Sequence, residues 1–147
     1  MTDEEKQLLL KDLCARLPYG VVIKDTYSGH YGRLVEIGNT FAYFISELNG
    51  NTLDVQVGYV KPYLRPMSSM TEEEKKERNF YCGYKPYYEE EDCGESYLTE
   101  DDMPDYIDWL NAHQFDYRID PLTRKTLIES GLALKAPDGM YIKPNKI

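Results

Sequence analysis

The chain has 147 residues and a formal net charge of −9, from 26 Asp and Glu against 17 Lys and Arg, with 14 tyrosines. No apolar run approaches the roughly 18 residues of a membrane span, so a transmembrane protein is excluded. Leu, Ile, Val and Phe make up about 22% of the residues, above the floor of about 20% below which charged chains stay disordered, and one folded domain over 1–147 is expected.

A helix is predicted at the start. Thr2 and Glu5 have the spacing of a capping box, Leu9, Leu10, Leu13 and Leu17 share one face, and Pro18 ends the helix by pushing Leu17 out of helical geometry. From Tyr19 to Arg65 the pattern becomes short β-favouring runs separated by turns: Gly20–Lys24, Tyr31–Ile37, Thr40–Glu47 and the alternating Leu53-Asp54-Val55-Gln56-Val57. Lys61 to Pro66 holds two prolines, each lacking a ladder donor, which predicts an edge strand or a short helical turn. The fold class expected for residues 19–66 is a small antiparallel β-meander or SH3-like barrel, with the helices packed beside it to give an α+β protein.

A second capping box, Thr71 with Glu74, predicts a short exposed helix over the charged run Glu72 to Arg78. Residues 81–96 show no period and read as a loop. Asp102 is placed to cap a third helix, with Pro104 in its first turn and Ile107, Trp109 and Leu110 on its buried face. Asp120-Pro121 predicts the start of a fourth helix and Gly131 its end. Leu132–Lys135 and Met140–Lys143 are expected to close the chain as a β-hairpin around Pro137-Asp138-Gly139.

The charge is concentrated. Residues 86–117 contain eleven Asp and Glu and no Lys or Arg, whereas residues 1–70 are nearly balanced. Tyr84, Tyr87 and Tyr88 adjoin Glu89, Glu90, Glu91 and Asp92. Aromatic rings beside a block of one charge suit a protein interface, and clustered carboxylates steer cationic surfaces from a distance, so these seven residues are the candidate interaction site for a basic protein partner. The leading reading is a non-enzymatic accessory or regulatory protein.

Two other readings come from different classes. His113, near the end of the third helix, is a candidate general base oriented by Asp116, because imidazole catalysis needs a partner that fixes its tautomer. Lys135, Lys143 and Lys146 on or near the C-terminal hairpin are the candidate nucleic-acid contact. That reading ranks last, because binding a polyanion needs a basic surface and the β-segment is close to neutral. Cys82, Cys93 and His113 lie too far apart in sequence for a structural zinc site, and the acids of 89–92 lack the pattern of a calcium loop. Nucleophile elbows, phosphate loops, dinucleotide fingerprints and H-E-x-x-H are absent, so no catalytic residue, metal or cofactor is assigned. The acidic start Asp3-Glu4-Glu5 is unlike a secretory signal, and Cys14, Cys82 and Cys93 form an odd set without C-x-x-C; a cytoplasmic protein with reduced thiols is expected.

Three stretches carry a resemblance: Leu8-Leu9-Leu10-Lys11-Asp12-Leu13-Cys14-Ala15-Arg16-Leu17-Pro18-Tyr19-Gly20; Lys61-Pro62-Tyr63-Leu64-Arg65-Pro66-Met67-Ser68-Ser69-Met70-Thr71; and Asp108-Trp109-Leu110-Asn111-Ala112-His113 with Gly131-Leu132-Ala133-Leu134. In these the chain resembles short uncharacterised proteins of gut Bacteroidales and of their phages and mobile elements. It departs from them at Ile119 to Lys125, which intervenes before the last helix. The resemblance implies a phage or mobile-element setting and carries no catalytic residue with it.

Overall fold

The computed structural model describes residues 2–81, 104–120, 123–137 and 140. Helix α1 spans Asp3–Arg16, and both halves of its capping box are made: Glu5 N–H donates to Thr2 Oγ1 at 3.1 Å, and Thr2 N–H to the Glu5 carboxylate at 3.0 Å. Its inner face buries Leu9, Leu10 and Leu13, and also Asp12 and Arg16. Pro18 lies in a single tighter turn, Leu17–Tyr19, after which Gly20 reverses the chain at φ +82°.

The strands are β1 (Val22–Asp25), β2 (Tyr31–Ile37), β3 (Phe41–Ser46), β4 (Thr52–Gln56), β5 (Val60–Pro66), β6 (Phe115–Asp116) and β7 (Leu134–Lys135). They form one mostly antiparallel open sheet in the order β4-β3-β2-β1-β5-β6, with β7 also on β5. This is the α+β meander expected of the sequence. Alternation sends Ile23, Leu34, Ala42, Phe44 and Val55 inward, onto α1 and onto Leu127, Leu132 and Ala133. β2 and β3 approach so closely that a Cβ on Gly32 would lie 1.8 Å from the carbonyl oxygen of Ile45. The β2–β3 register shifts between Leu34 and Glu36.

β5 corrects the expectation of an edge strand or helical turn: it pairs antiparallel with β1 and parallel with both β6 and β7. The physical reason is the phase of its prolines. Arg65 N–H donates to Gln114 on one side, while the Leu64 carbonyl accepts from Ala136 N–H on the other. Main-chain groups alternate sides along a strand, so Pro62 and Pro66 turn their nitrogens toward the β7 side. There the ladder covers only Tyr63 and Leu64, and the missing donors fall just outside it.

Helix α2 (Glu72–Tyr81) is not wholly exposed as its charge suggests, because Glu74 and Arg78 are buried. Helix α3 (Pro104–Ala112) buries Tyr106, Ile107, Trp109 and Leu110, which join Met70, Phe115 and Tyr117 in a second, aromatic core. The last helix, α4 (Leu127–Ser130), starts later than Asp120-Pro121 predicts, capped by Thr126 with Glu129 and closed by Gly131 at φ +83°. Asp120 instead opens a tight loop in which Arg124 N–H donates to its carbonyl, and Ile119 bridges Thr126. The first arm of the expected hairpin pairs with β5 as β7; the second, from Tyr141 on, lies outside the described residues.

Candidate functional site

The predicted interaction residues Tyr84, Tyr87, Tyr88, Glu89, Glu90, Glu91 and Asp92 lie outside the described residues, as do Asp102, Cys82, Cys93, Lys143 and Lys146. Lys135 is exposed on β7.

His113 is described, and it lies in an aromatic stack. It follows α3, is 1% exposed, and sits with its ring 4.4 Å from that of Trp109 and parallel to Phe115. Nδ1 is 3.0 Å from the Trp109 carbonyl, which can only accept, so Nδ1 carries the proton. Nε2 is 3.8 Å from Glu77 Oε2, an oxygen that also accepts from Trp109 Nε1 at 3.0 Å. Burial lowers the His113 pKa, with the Trp109 carbonyl, Glu74 and Glu77 opposing. Asp116 is not its orienting partner: its carboxylate accepts the Leu127 and Ile128 N–H groups at 3.1 and 3.0 Å, holding the start of α4. His113 is thus bonded back to α3 through the Trp109 carbonyl, and Asp116 to the start of α4.

Arg65 joins these elements. Its guanidinium forks onto Glu74 with two bonds of 2.8 Å and lies 4.3 Å over the Phe115 ring. Burial alone would raise the Glu74 pKa, but the Arg65 fork and the Thr71 N–H and hydroxyl hold it down at about 2. A planar, bidentate ion pair of this kind fixes orientation as well as adding attraction. Arg65, Phe115, His113, Trp109 and Tyr106 therefore form one continuous stack that fastens α2 and α3 to β5.

A second polar cluster lies beneath α1. Asp12 is fully buried and accepts from Arg16 Nε at 2.9 Å and Arg118 Nε at 3.1 Å. Arg118 also donates to the Tyr117 hydroxyl, which donates to Asn111 Oδ1 at 2.9 Å, and Arg16 reaches the Phe115 carbonyl. Two of these links, Arg118 to Asp12 and Arg16 to the Phe115 carbonyl, cross from α1 to the C-terminal part, which is the arrangement of a structural clasp.

The described surface with recognition chemistry is elsewhere. Tyr31, Phe41 and Tyr43 stand on the outward face of the sheet, and Tyr27 and Tyr59 in adjoining turns; all five are exposed. A groove of about 390 Å³ runs along β4, walled by Tyr27, Phe41 and Tyr59 and including Asp25, Asp54 and Gln56. Tyr27 and Tyr59 rings lie 5.3 Å apart, tilted by 49°. Sequence reasoning passed over these residues because an aromatic ring in an alternating strand reads equally well on either face; only the inward Ala42 and Phe44 settle which face Phe41 and Tyr43 take.

Among the described residues no grouping of His, Cys, Asp and Glu could hold a metal ion, and no helix is long and apolar enough to cross a membrane. No family model, curated protein or solved structure matches this chain.

Proposed function

We propose that this chain is an accessory or regulatory protein that acts by binding another protein. One observation carries the reading: Tyr31, Phe41 and Tyr43 are exposed on the face of a sheet whose other face is core, and the exposed Tyr27 and Tyr59 wall a groove together with Phe41. Aromatic residues supply large contact area with few rotatable bonds and are the side chains most enriched at binding hot spots, whereas exposed apolar surface without a partner is costly in a folded protein. The Tyr-rich acidic segment around Glu89–Asp92 supplies the second half of the argument, since its charge would draw a basic partner.

Affinity capture tests the proposal. A Bacteroidales lysate is the natural first source, given the resemblance in the three stretches named above. Wild type is compared with a variant carrying Glu89→Gln, Glu90→Gln, Glu91→Gln and Asp92→Asn, and with one carrying Tyr31→Ser and Tyr43→Ser, all checked for an unchanged melting curve. A protein retained by wild type and lost by either variant is the expected result. An identical retained set for all three refutes the reading.

A further inference from the structure

We infer that the free edge of β4 takes an extended segment of the partner protein as an added strand and seats an arginine from it against the Tyr27–Tyr59 ring pair with its guanidinium on the Asp54 carboxylate. The inference rests on the protein-binding reading above and names the mode and chemistry of the contact.

Three observations meet at this edge. The first is the ladder. β4 is the terminal strand of the sheet and pairs only with β3 among the described residues. Val57 N–H donates to Thr40 and Ser46 N–H to Asn51, so in an alternating antiparallel ladder residues 51, 53, 55 and 57 turn their main-chain groups to β3. Thr52, Asp54 and Gln56 therefore turn theirs to the open side. An edge of this kind is a template for strand addition, in which the main chain supplies affinity and flanking side-chain sites supply selectivity.

The second is the walls. The groove along β4 encloses about 390 Å³, within the size range of small-ligand sites. The main chain that carries its aromatic side is tied down by hydrogen bonds. Thr26 N–H and Thr26 hydroxyl both donate to the Tyr59 carbonyl at 2.9 Å, tying the two turns together. The buried Asp25 carboxylate accepts from Tyr27 N–H at 2.9 Å and from the Ser28 hydroxyl at 2.8 Å. Turns held in this way do not have to be ordered at the expense of binding.

The third is charge. The groove lining includes two carboxylates and no Lys or Arg. Asp25 is committed to its turn, whereas Asp54 is exposed and no cation pairs with it among the described residues. Aromatic faces beside an uncommitted carboxylate select a cation. Arginine suits the site better than lysine, because a planar guanidinium stacks on rings and forks onto a carboxylate at the same time.

The test uses the full chain, isotopically labelled, and three synthetic five-residue peptides of alternating valine with arginine, lysine or glutamate, followed by amide chemical shifts. The arginine peptide is expected to shift Thr52, Asp54 and Gln56 amides and to bind more tightly than the lysine peptide; the glutamate peptide should not bind. Asp54→Asn should weaken the arginine peptide about tenfold, the loss of one charge-assisted contact. Tyr59→Ser should weaken it as well. Shifts that fall elsewhere, or equal binding of the arginine and glutamate peptides, overturn the inference. A lysate partner lost on neutralising Glu89–Asp92 yet held unchanged by Asp54→Asn and Tyr59→Ser would overturn this groove while leaving the protein-binding reading standing.

Discussion

Replacing Asp12 should be the most damaging single change to charge in this molecule. Its carboxylate is fully buried and lies between Arg16, also fully buried, and Arg118, which is nearly so. Taking one partner from a buried ion cluster leaves the remaining charge without compensation, at a cost of about 3–5 kcal/mol. Asp12→Ala should reach that range, and Asp12→Asn, which keeps the shape and one acceptor but loses the charge, about 2 kcal/mol. Urea unfolding reads this directly. With a slope of about 2 kcal/mol/M, Asp12→Ala moves the midpoint down by about 1.5–2.5 M. The exposed Asp3, on the same helix, provides the control, since surface substitutions stay within about 0.5 kcal/mol. If Asp12→Asn costs no more than Asp3→Asn, then Asp12 does not hold α1 to the C-terminal part as described.

Three further outcomes follow from particular contacts. Gly32→Ala should lower the melting temperature by about 5–10 °C, because the added methyl would lie 1.8 Å from the Ile45 carbonyl and only backbone movement could relieve it; Gly58→Ala, with nothing within 4 Å, should leave it unchanged or slightly raised. Acid should remove the contribution of Glu74: the folded state keeps it ionised down to about pH 2 while the unfolded chain takes up a proton near 4.5, so the stabilisation is complete above about pH 4.5 and is lost as pH falls toward 2. After allowing for screening at a partly exposed pair this amounts to about 1–2 kcal/mol, and Glu74→Gln should flatten the stability–pH curve over that window. His113 acts in a higher range. Its pKa is lowered by burial, so the unfolded chain binds the proton first as pH falls below 6.5, and His113→Gln should reduce the loss of stability measured by thermal melts between pH 7 and pH 5.

The elements that the sequence marks clearly are those whose signals are local. Thr2 with Glu5 and Thr71 with Glu74 announce two helices, and both capping boxes are made. Alternation in 53–57 and the turns at Gly38-Asn39 and Asn49-Gly50 locate the meander. Elsewhere a non-local contact decides the local structure. The prolines of β5 argue against an interior strand until the phase of its ladder is known, and that phase depends on β1, β6 and β7, of which two lie some fifty or more residues away. Asp120-Pro121 has the chemistry of a helix start, but Thr126 with Glu129 is the cap used, because Asp116 reaches the same helix end from β6. The burial of α2 has a similar cause: Glu74 can be buried because Arg65, nine residues earlier on a strand, forks onto it.

The site was less legible than the fold. His113 stands out in the sequence because histidines are scarce, yet the structure gives it a stacking role between Trp109 and Phe115. Tyr27, Phe41, Asp54 and Tyr59 are separated by up to 32 residues and share no motif; strand pairing and the tie between two turns bring them to one groove. Chemistry made by convergence of ordinary residues leaves no spacing to read.

The central claim, that the chain works by binding a basic protein, is tested most directly by measuring the affinity of the purified complex with the captured partner at about 50 and about 300 mM salt, wild type against the Glu89–Asp92 neutralised chain. The account predicts that wild-type affinity falls as salt rises, and that the neutralised chain binds more weakly with a shallower dependence. Equal affinities with no response to salt would contradict it.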